Sequence, residues 1–226
     1  MKTIVPVIAA LLLGAVSLSA QEPYFCTMAG HKLYYERYKP DMKKILQTTT
    51  FEIESVKPEG DGSRIEYYLT LRKGNGRTLY GGRTFLSVDV NSEGDVLLDV
   101  AGTARAILQG LSNSARIKSE GENTILPSNM HPGDTLPESL CTVSVSGIKL
   151  RINIRDRMVL REETITTPAG TFDCIVTRER KVENGPLHHL DNWVDNWYVR
   201  GLGYVRHDIY DKDMEFEGSE ILIRIE

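Results

Sequence analysis

Apolar and polar residues alternate along much of this chain. Ile65, Tyr67, Leu69 and Leu71 interleave with Glu66, Tyr68, Thr70 and Arg72, and Ile148, Leu150, Ile152 and Ile154 interleave with Lys149, Arg151, Asn153 and Arg155. A period of two sends successive side chains to opposite faces, so both stretches predict half-buried β-strands with one wet face. Further runs of strand composition lie at 33–38, 45–56, 83–90, 96–100, 191–198 and 204–210, and a last one carries Ile221, Ile223 and Ile225. Gly74-Asn75-Gly76, Asn91-Ser92-Glu93-Gly94 and Asp211-Lys212-Asp213 punctuate them as turns.

The most legible turn lies in Thr166-Thr167-Pro168-Ala169-Gly170-Thr171-Phe172-Asp173-Cys174. Pro168 presets φ for the first central position of a type I turn, Ala169 fits the second, and Gly170 can take a positive φ and form a bulge as the next strand begins. The two flanks, 157–166 and 172–181, then make one long hairpin that aims Phe172 and Cys174 at the core. A β-branched residue at 170 resists positive φ and is expected to unfold the protein.

One stretch breaks the pattern. Between Thr103 and Ile117, Ala104, Ile107, Leu108 and Leu111 fall at i, i+3, i+4 and i+7, the stripe of a short amphipathic helix that Gly110 limits to about two turns. Such a helix covers an open end of a β core; the sharper reading is a lid over a ligand cavity. The polar stretch 118–139, with four interrupting Pro and Gly residues at 127, 132, 133 and 137, reads as a long connection. The expected fold is therefore all-β: a single curved antiparallel sheet or open barrel of about ten to twelve strands with one short helix.

Composition narrows the class. Residues 1–20 combine Lys2, an apolar run from Ile4 to Val16 and a small-residue end at Ser19-Ala20, the form of a secretory signal peptide, leaving 21–226 as one β-rich domain. The formal charge of −4 becomes −5 without the one Lys and no acids of that leader. A mildly acidic chain without a basic run argues against nucleic acid as a partner. Three cysteines, Cys26, Cys141 and Cys174, enter a compartment that permits disulfides. A Cys141–Cys174 bridge, a Cys26–Cys174 bridge and three buried thiols are all open.

Candidate chemistry is sparse. His188, His189 and Asp191 are suitable metal or acid/base types, but neighbours on a strand point to opposite faces, so the two imidazoles converge only in a loop, which Gly185-Pro186 suggests. Trp193, Asp195 and Trp197 share a parity and could wall a polar site; two such tryptophans also suit core packing. Gly201-x-Gly203 lacks the third glycine of a dinucleotide loop and reads as a bulge or kink. Asp89, Asn91, Glu93 and Gly94 imitate half of a calcium loop, but its twelfth position is Val100, so a plain turn is the better reading. The five-residue pattern Tyr38-x-x-Asp41-Met42 recurs as Tyr210-x-x-Asp213-Met214, which indicates one turn type used twice.

Taken together, Leu126-Pro127-Ser128-Asn129, Gly133-Asp134-Thr135-Leu136, the run from Glu162 to Cys174, Trp197-Tyr198, Gly201-Leu202-Gly203 and the Tyr210 turn resemble the TapB family of exported bacterial proteins. The resemblance spans nearly all of 21–226 and implies a β-rich envelope protein, periplasmic or secreted, without supplying catalytic residues. The expectation is a non-enzymatic protein without a cofactor that binds a lipid or other apolar small molecule through Leu108, Leu111, Trp193 and Trp197. Its alternative is a structural or assembly module that contacts an envelope protein. Pro168, Gly170, Phe172, Cys174, Cys141, Gly201 and Gly203 are expected to be architectural.

Overall fold

The computed structural model describes residues 21–109, 116–121, 123–186 and 188–226, apart from the side chains of residues 80, 81 and 188. Residues 1–20, which the sequence pattern reads as a leader, and Leu111 lie outside the described residues. Thirteen strands join one sheet: β1 (Lys32–Tyr38), β2 (Ile45–Glu59), β3 (Gly62–Lys73), β4 (Thr78–Val90), β5 (Val96–Leu98), β6 (Ile117–Gly121), β7 (Thr124–Leu126), β8 (Ser139–Val145), β9 (Ile148–Thr167), β10 (Gly170–Gly185), β11 (His188–Val199), β12 (Gly203–Asp211) and β13 (Phe216–Ile225). This is somewhat more than the ten to twelve expected, because the polar stretch 118–139 holds most of β6 and all of β7. The helix α1 spans Val100–Gln109, starting earlier than the pattern suggested and, at ten residues, longer than the two turns expected.

Every pairing is antiparallel, in the order β6-β8-β9-β10-β11-β12-β13-β1-β2-β3-β4-β5-β7, and the sheet does not close by hydrogen bonds. It is nevertheless strongly curved. Arg157, at a bulge of β9 next to the positive-φ residue Asp156, reaches across to β7 at the far edge. It is 3% exposed, donates to the Thr124 hydroxyl at 2.7 Å and to the carbonyls of Ile125 and Pro137, and pairs with Glu179 at 3.1 Å. A guanidinium has five donors in a fixed fork, which suits it to clasp two strands that share no ladder.

The alternation seen in the sequence is what fills the inside of the curve. Ile65, Tyr67 and Leu69 are buried on one face of β3 and pack in a large cluster with Leu33, Tyr35, Ile53, Leu86 and Val88. A second, smaller cluster joins Cys141, Val143 and Ile152 to Ala101 of α1. All three cysteines are buried free thiols, Cys26 and Cys174 in the first cluster and Cys141 in the second.

The β9–β10 hairpin turns through Pro168 and Ala169 as expected, with Thr167 paired to Gly170 and Gly170 at φ +145°. The predicted bulge at Gly170 is absent: the register is unbroken from Thr167 to Val176 and shifts only beyond it, between Val176 and Thr177 and between Arg178 and Arg180. Cys174 is buried and Phe172 packs against the core. The two Tyr-x-x-Asp-Met patterns do form one turn type. Met42 and Met214 both have positive φ, 54° and 67°, and donate to the carbonyls of Lys39 and Asp211 at 2.8 and 3.1 Å. At Asn91 the side-chain oxygen accepts from the Glu93 and Asp95 amides at 3.0 and 2.8 Å, which makes it a turn, as expected.

Candidate functional site

The curve of the sheet and α1 border an open cavity of about 540 Å³. Tyr67 and Leu71 of β3, Leu98 at the end of β5, Ile107 and Leu108 of α1, and Leu150 and Ile152 of β9 line its apolar part, with Gln47, Thr103, Lys181 and Glu183 among its polar residues. Three features of the sequence place the helix there. Asp99 caps it, its carboxylate accepting from the Gly102 amide at 2.7 Å and its carbonyl from the Thr103 amide at 2.9 Å. Ala104 and Leu108 then pack on the Cys141 cluster, whereas Ala106 and Ile107 pack on the main core. One short helix thus spans two limbs of the sheet, contacting β4 on one and β6 and β8 on the other.

Behind Leu98 lies a second, smaller space of about 180 Å³ lined by Leu33, Phe51, Ile53, Leu98, Leu126 and Tyr204 among others, and by no charged side chain. Aromatic rings stand around it: Phe51 and Tyr67 have centroids 5.7 Å apart, Phe25 and Tyr67 5.3 Å, and Tyr35 and Tyr204 4.7 Å. Tyr35 satisfies its hydroxyl on the Tyr204 carbonyl at 2.9 Å. The segment Pro23–Thr27 contributes Tyr24, Phe25 and Cys26 to its wall and is held by the Gly201 turn: the Gly201 amide donates to the Pro23 carbonyl at 2.7 Å, and the Thr27 amide to the Gly201 carbonyl at 3.2 Å. Gly201 and Gly203 have φ of +67° and +96° in the β11–β12 turn, so they make a reverse turn rather than a kink within a strand.

From Gln47 a polar chain runs along the inner face. Its amide donates to the Thr49 hydroxyl at 3.3 Å, and Thr49 donates to Glu220 at 2.5 Å. Burial pushes the Glu220 carboxyl above its ordinary range, while Thr49 and Arg37 pull it back. Opposite Glu220 is His207, whose Nδ1 lies 2.7 Å from Asn196 Oδ1 and whose imidazole is pushed down to about 3 by burial, with Arg37 and Lys181 adding to the effect.

The four residues predicted to bind ligand do not converge. Leu108 lines the cavity and Leu111 is not described. Trp193 and Trp197 do not line the cavity; Trp197, the cross-strand partner of Val176, is 4% exposed and packs in the main core cluster. Trp197 donates to Glu163 at 2.9 Å, with the Arg206 guanidinium 4.8 Å from its ring, and Arg180 lies 5.5 Å from Trp193. Asp195, 3% exposed between them, takes two bonds from Arg178 at 2.6 and 2.8 Å. Parity in the sequence identified their shared face but not whether that face would line the cavity.

The histidine pair lies in a strand, not a loop: β11 begins at His188, opposite Gly185. His189 is exposed and bonds Asn184 at 2.7 Å, and Asp191 is held below the usual carboxylate range by two bonds from Arg180. A further groove of about 760 Å³ near Gln21 is lined by polar groups that include Glu162, Asp173, His131 and Arg200. Residues missed by sequence reading are Arg157, Leu98, Thr49 and Glu220, which acquire their roles only when distant strands meet.

The profile of the family described as DUF3108-like matches residues 28–222. No curated protein matches the sequence. Among solved structures, the chain is similar to a Bacteroides fragilis protein described as exported and as having a YmcC-like fold. The identity is 21% and the TM-score 0.72, over 91% of this chain and 99% of that one. A Parabacteroides distasonis protein described as a lipoprotein is 17% identical with a TM-score of 0.74, over 92% and 99% of the two chains. At these identities the likeness is one of fold.

Proposed function

This chain belongs to the DUF3108-like family, and we propose that it is an exported cell-envelope protein that acts without catalysis, binding a lipid or other apolar ligand between α1 and the curved sheet. The observation that carries this reading is the 540 Å³ cavity, whose apolar lining comes from both limbs of the sheet and from the helix stripe at Ile107 and Leu108. Its volume falls within the range of about 300–1,000 Å³ found for small-molecule sites. Export is supported by the descriptions of the two structural relatives and by the leader-like residues 1–20. The resemblance to the TapB family belongs to the same reading.

The assembly reading has weaker support. The sheet ends in β6 and β7, of only five and three residues, which offer little edge for another chain to extend. The test uses residues 21–226 and N-phenyl-1-naphthylamine, whose fluorescence rises in an apolar site. Saturable binding that Leu108→Arg weakens at least tenfold supports the proposal, and no binding to a folded protein overturns it.

A further inference from the structure

The cavity and the chamber behind it differ in chemistry in a way that selects a ligand. The outer space combines aliphatic walls with Gln47, Thr103 and the Lys181–Glu183 ion pair, 2.7 Å long. The inner one is walled by aliphatic and aromatic groups with no charged side chain; four tyrosines, Tyr24, Tyr35, Tyr198 and Tyr204, are among them, and the Tyr35 hydroxyl is bonded to the Tyr204 carbonyl. Leu98 lines both and stands between them, the last residue of β5 and one position before the Asp99 cap of α1. Tyr24, Phe25 and Cys26 of the segment Pro23–Thr27 wall the inner space, and Leu98 is the residue that the two spaces share, which makes it the point of passage from one to the other. Whatever fills both spaces is therefore polar at one end, apolar at the other, and slender and flexible where it passes Leu98.

We infer that the ligand is a single-chain amphiphile, a free fatty acid or a monoacyl phospholipid, whose chain passes Leu98 into the inner chamber. Its head group stays beside Gln47 and the Lys181–Glu183 pair. This rests on the cavity-binding reading and adds the chain number, direction and depth of insertion. Each methylene that enters the apolar chamber removes about 0.8 kcal/mol of exposure to water, so affinity should climb about fourfold per added carbon until the chamber is full.

The experiment is displacement of N-phenyl-1-naphthylamine from residues 21–226 by saturated fatty acids of about 8 to about 18 carbons, by monoacyl phosphatidylglycerols of matching chain length, and by a diacyl phosphatidylglycerol. The expected result is a climb with chain length that reaches a plateau, stronger displacement by one of the monoacyl series than by the diacyl lipid, and identification of the head group by the series that binds tighter. Leu98→Trp, which narrows the passage, should end the climb at a shorter chain and weaken the longest at least tenfold while the shortest is unchanged. Leu98→Ala, which widens it, should move the plateau to longer chains, and keeps the test decisive if the tryptophan variant does not fold. Probe binding with displacement independent of chain length, or plateaus indifferent to residue 98, overturns the inner-chamber inference and leaves the cavity reading standing. Tighter binding of the diacyl lipid overturns the single-chain assignment. Absence of probe binding overturns both.

Discussion

His207 and Glu220 are direct cross-strand partners on β12 and β13, and burial shifts them in opposite directions. The folded imidazole titrates at about 3, below its ordinary value of 6.5, so the unfolded chain binds a proton that the folded one refuses between those values. Stability therefore falls as pH drops through 6.5 toward 3, by at most about 1.4 kcal/mol per pH unit for this group. Glu220 works the other way: its raised carboxyl contributes stability that is complete below its ordinary value of 4.5 and is lost as pH rises through the folded value. Arg37 enters both balances, and Lys181 that of His207. His207→Gln should flatten the loss of melting temperature between pH 7 and pH 4.5, whereas Glu220→Gln should steepen the acid side by removing the opposing term. Equal pH profiles for wild type and His207→Gln would refute the assignment.

Arg157 ties the interior strand β9 to the edge strand β7 and its neighbourhood through Thr124, Ile125 and Pro137, and pairs with Glu179 of β10. Arg157→Ala leaves buried acceptors and the largely buried Glu179 without their donor, a loss of the kind that costs about 3–5 kcal/mol. Urea denaturation should show it, and Glu179→Gln in the same background should recover part of the loss. A cost below about 1 kcal/mol would mean that the sheet holds its curvature without the clasp.

What the sequence revealed about this architecture follows from how far each signal reaches. Ile65, Tyr67 and Leu69 declare their strand locally, and Pro168 with Gly170 declare their turn, because period and φ preference belong to neighbouring residues. The stripe Ala104, Ile107, Leu108 likewise announced the helix, and Leu108 its place at the cavity. Its start was misplaced because Val100 and Ala101 extended a strand pattern, while the cap lay in the side chain of Asp99. Trp193 and Trp197 share a parity, but which face is covered depends on curvature that no local pattern encodes. The same holds for Arg157 and Thr124, thirty-three residues apart in sequence and bonded in space.

The cap at Asp99 gives a direct test of the helix. Asp99→Ala removes the acceptor of the Gly102 amide and should cost about 1 kcal/mol. Hydrogen exchange should quicken in 100–109 before it does in β9 or β10. Uniform acceleration through the sheet would show that α1 does not open on its own.

Gly170 and Gly218 have nearly the same backbone conformation, φ +145° and +150°, but different surroundings. A side chain at 170 would meet only the Phe172 ring, at 3.5 and 3.8 Å, whereas one at 218 would overlap the Tyr38 carbonyl oxygen. Gly170→Ala should therefore cost only the conformational strain, about 1–3 kcal/mol, and Gly218→Ala that strain plus displacement of β1. This tempers the expectation that a β-branched residue at 170 unfolds the protein. Equal melting temperatures for the two alanine variants would contradict the distinction.

The three thiols test the packing of the interior under oxidising conditions. Cys141 sits in the α1 cluster and Cys26 and Cys174 in the main core, so the structure decides against the Cys141–Cys174 bridge and keeps all three sulfurs reduced by burial. Burial pushes each thiol upward, Cys174 to about 12 with the Glu163 and Asp173 charges assisting. The thiolate is the form that attacks a disulfide, so a buried thiol held this high is a poor nucleophile near neutral pH. Protein produced with residues 1–226 and purified without reductant should have the intact mass of three free thiols. An aromatic disulfide reagent at pH 8 should label none of them in the folded state and all three in guanidinium. A mass lower by the two hydrogens of one disulfide would mean that two of these sulfurs meet, and that the segment carrying Cys26 packs against Cys174 more closely than the structure has it.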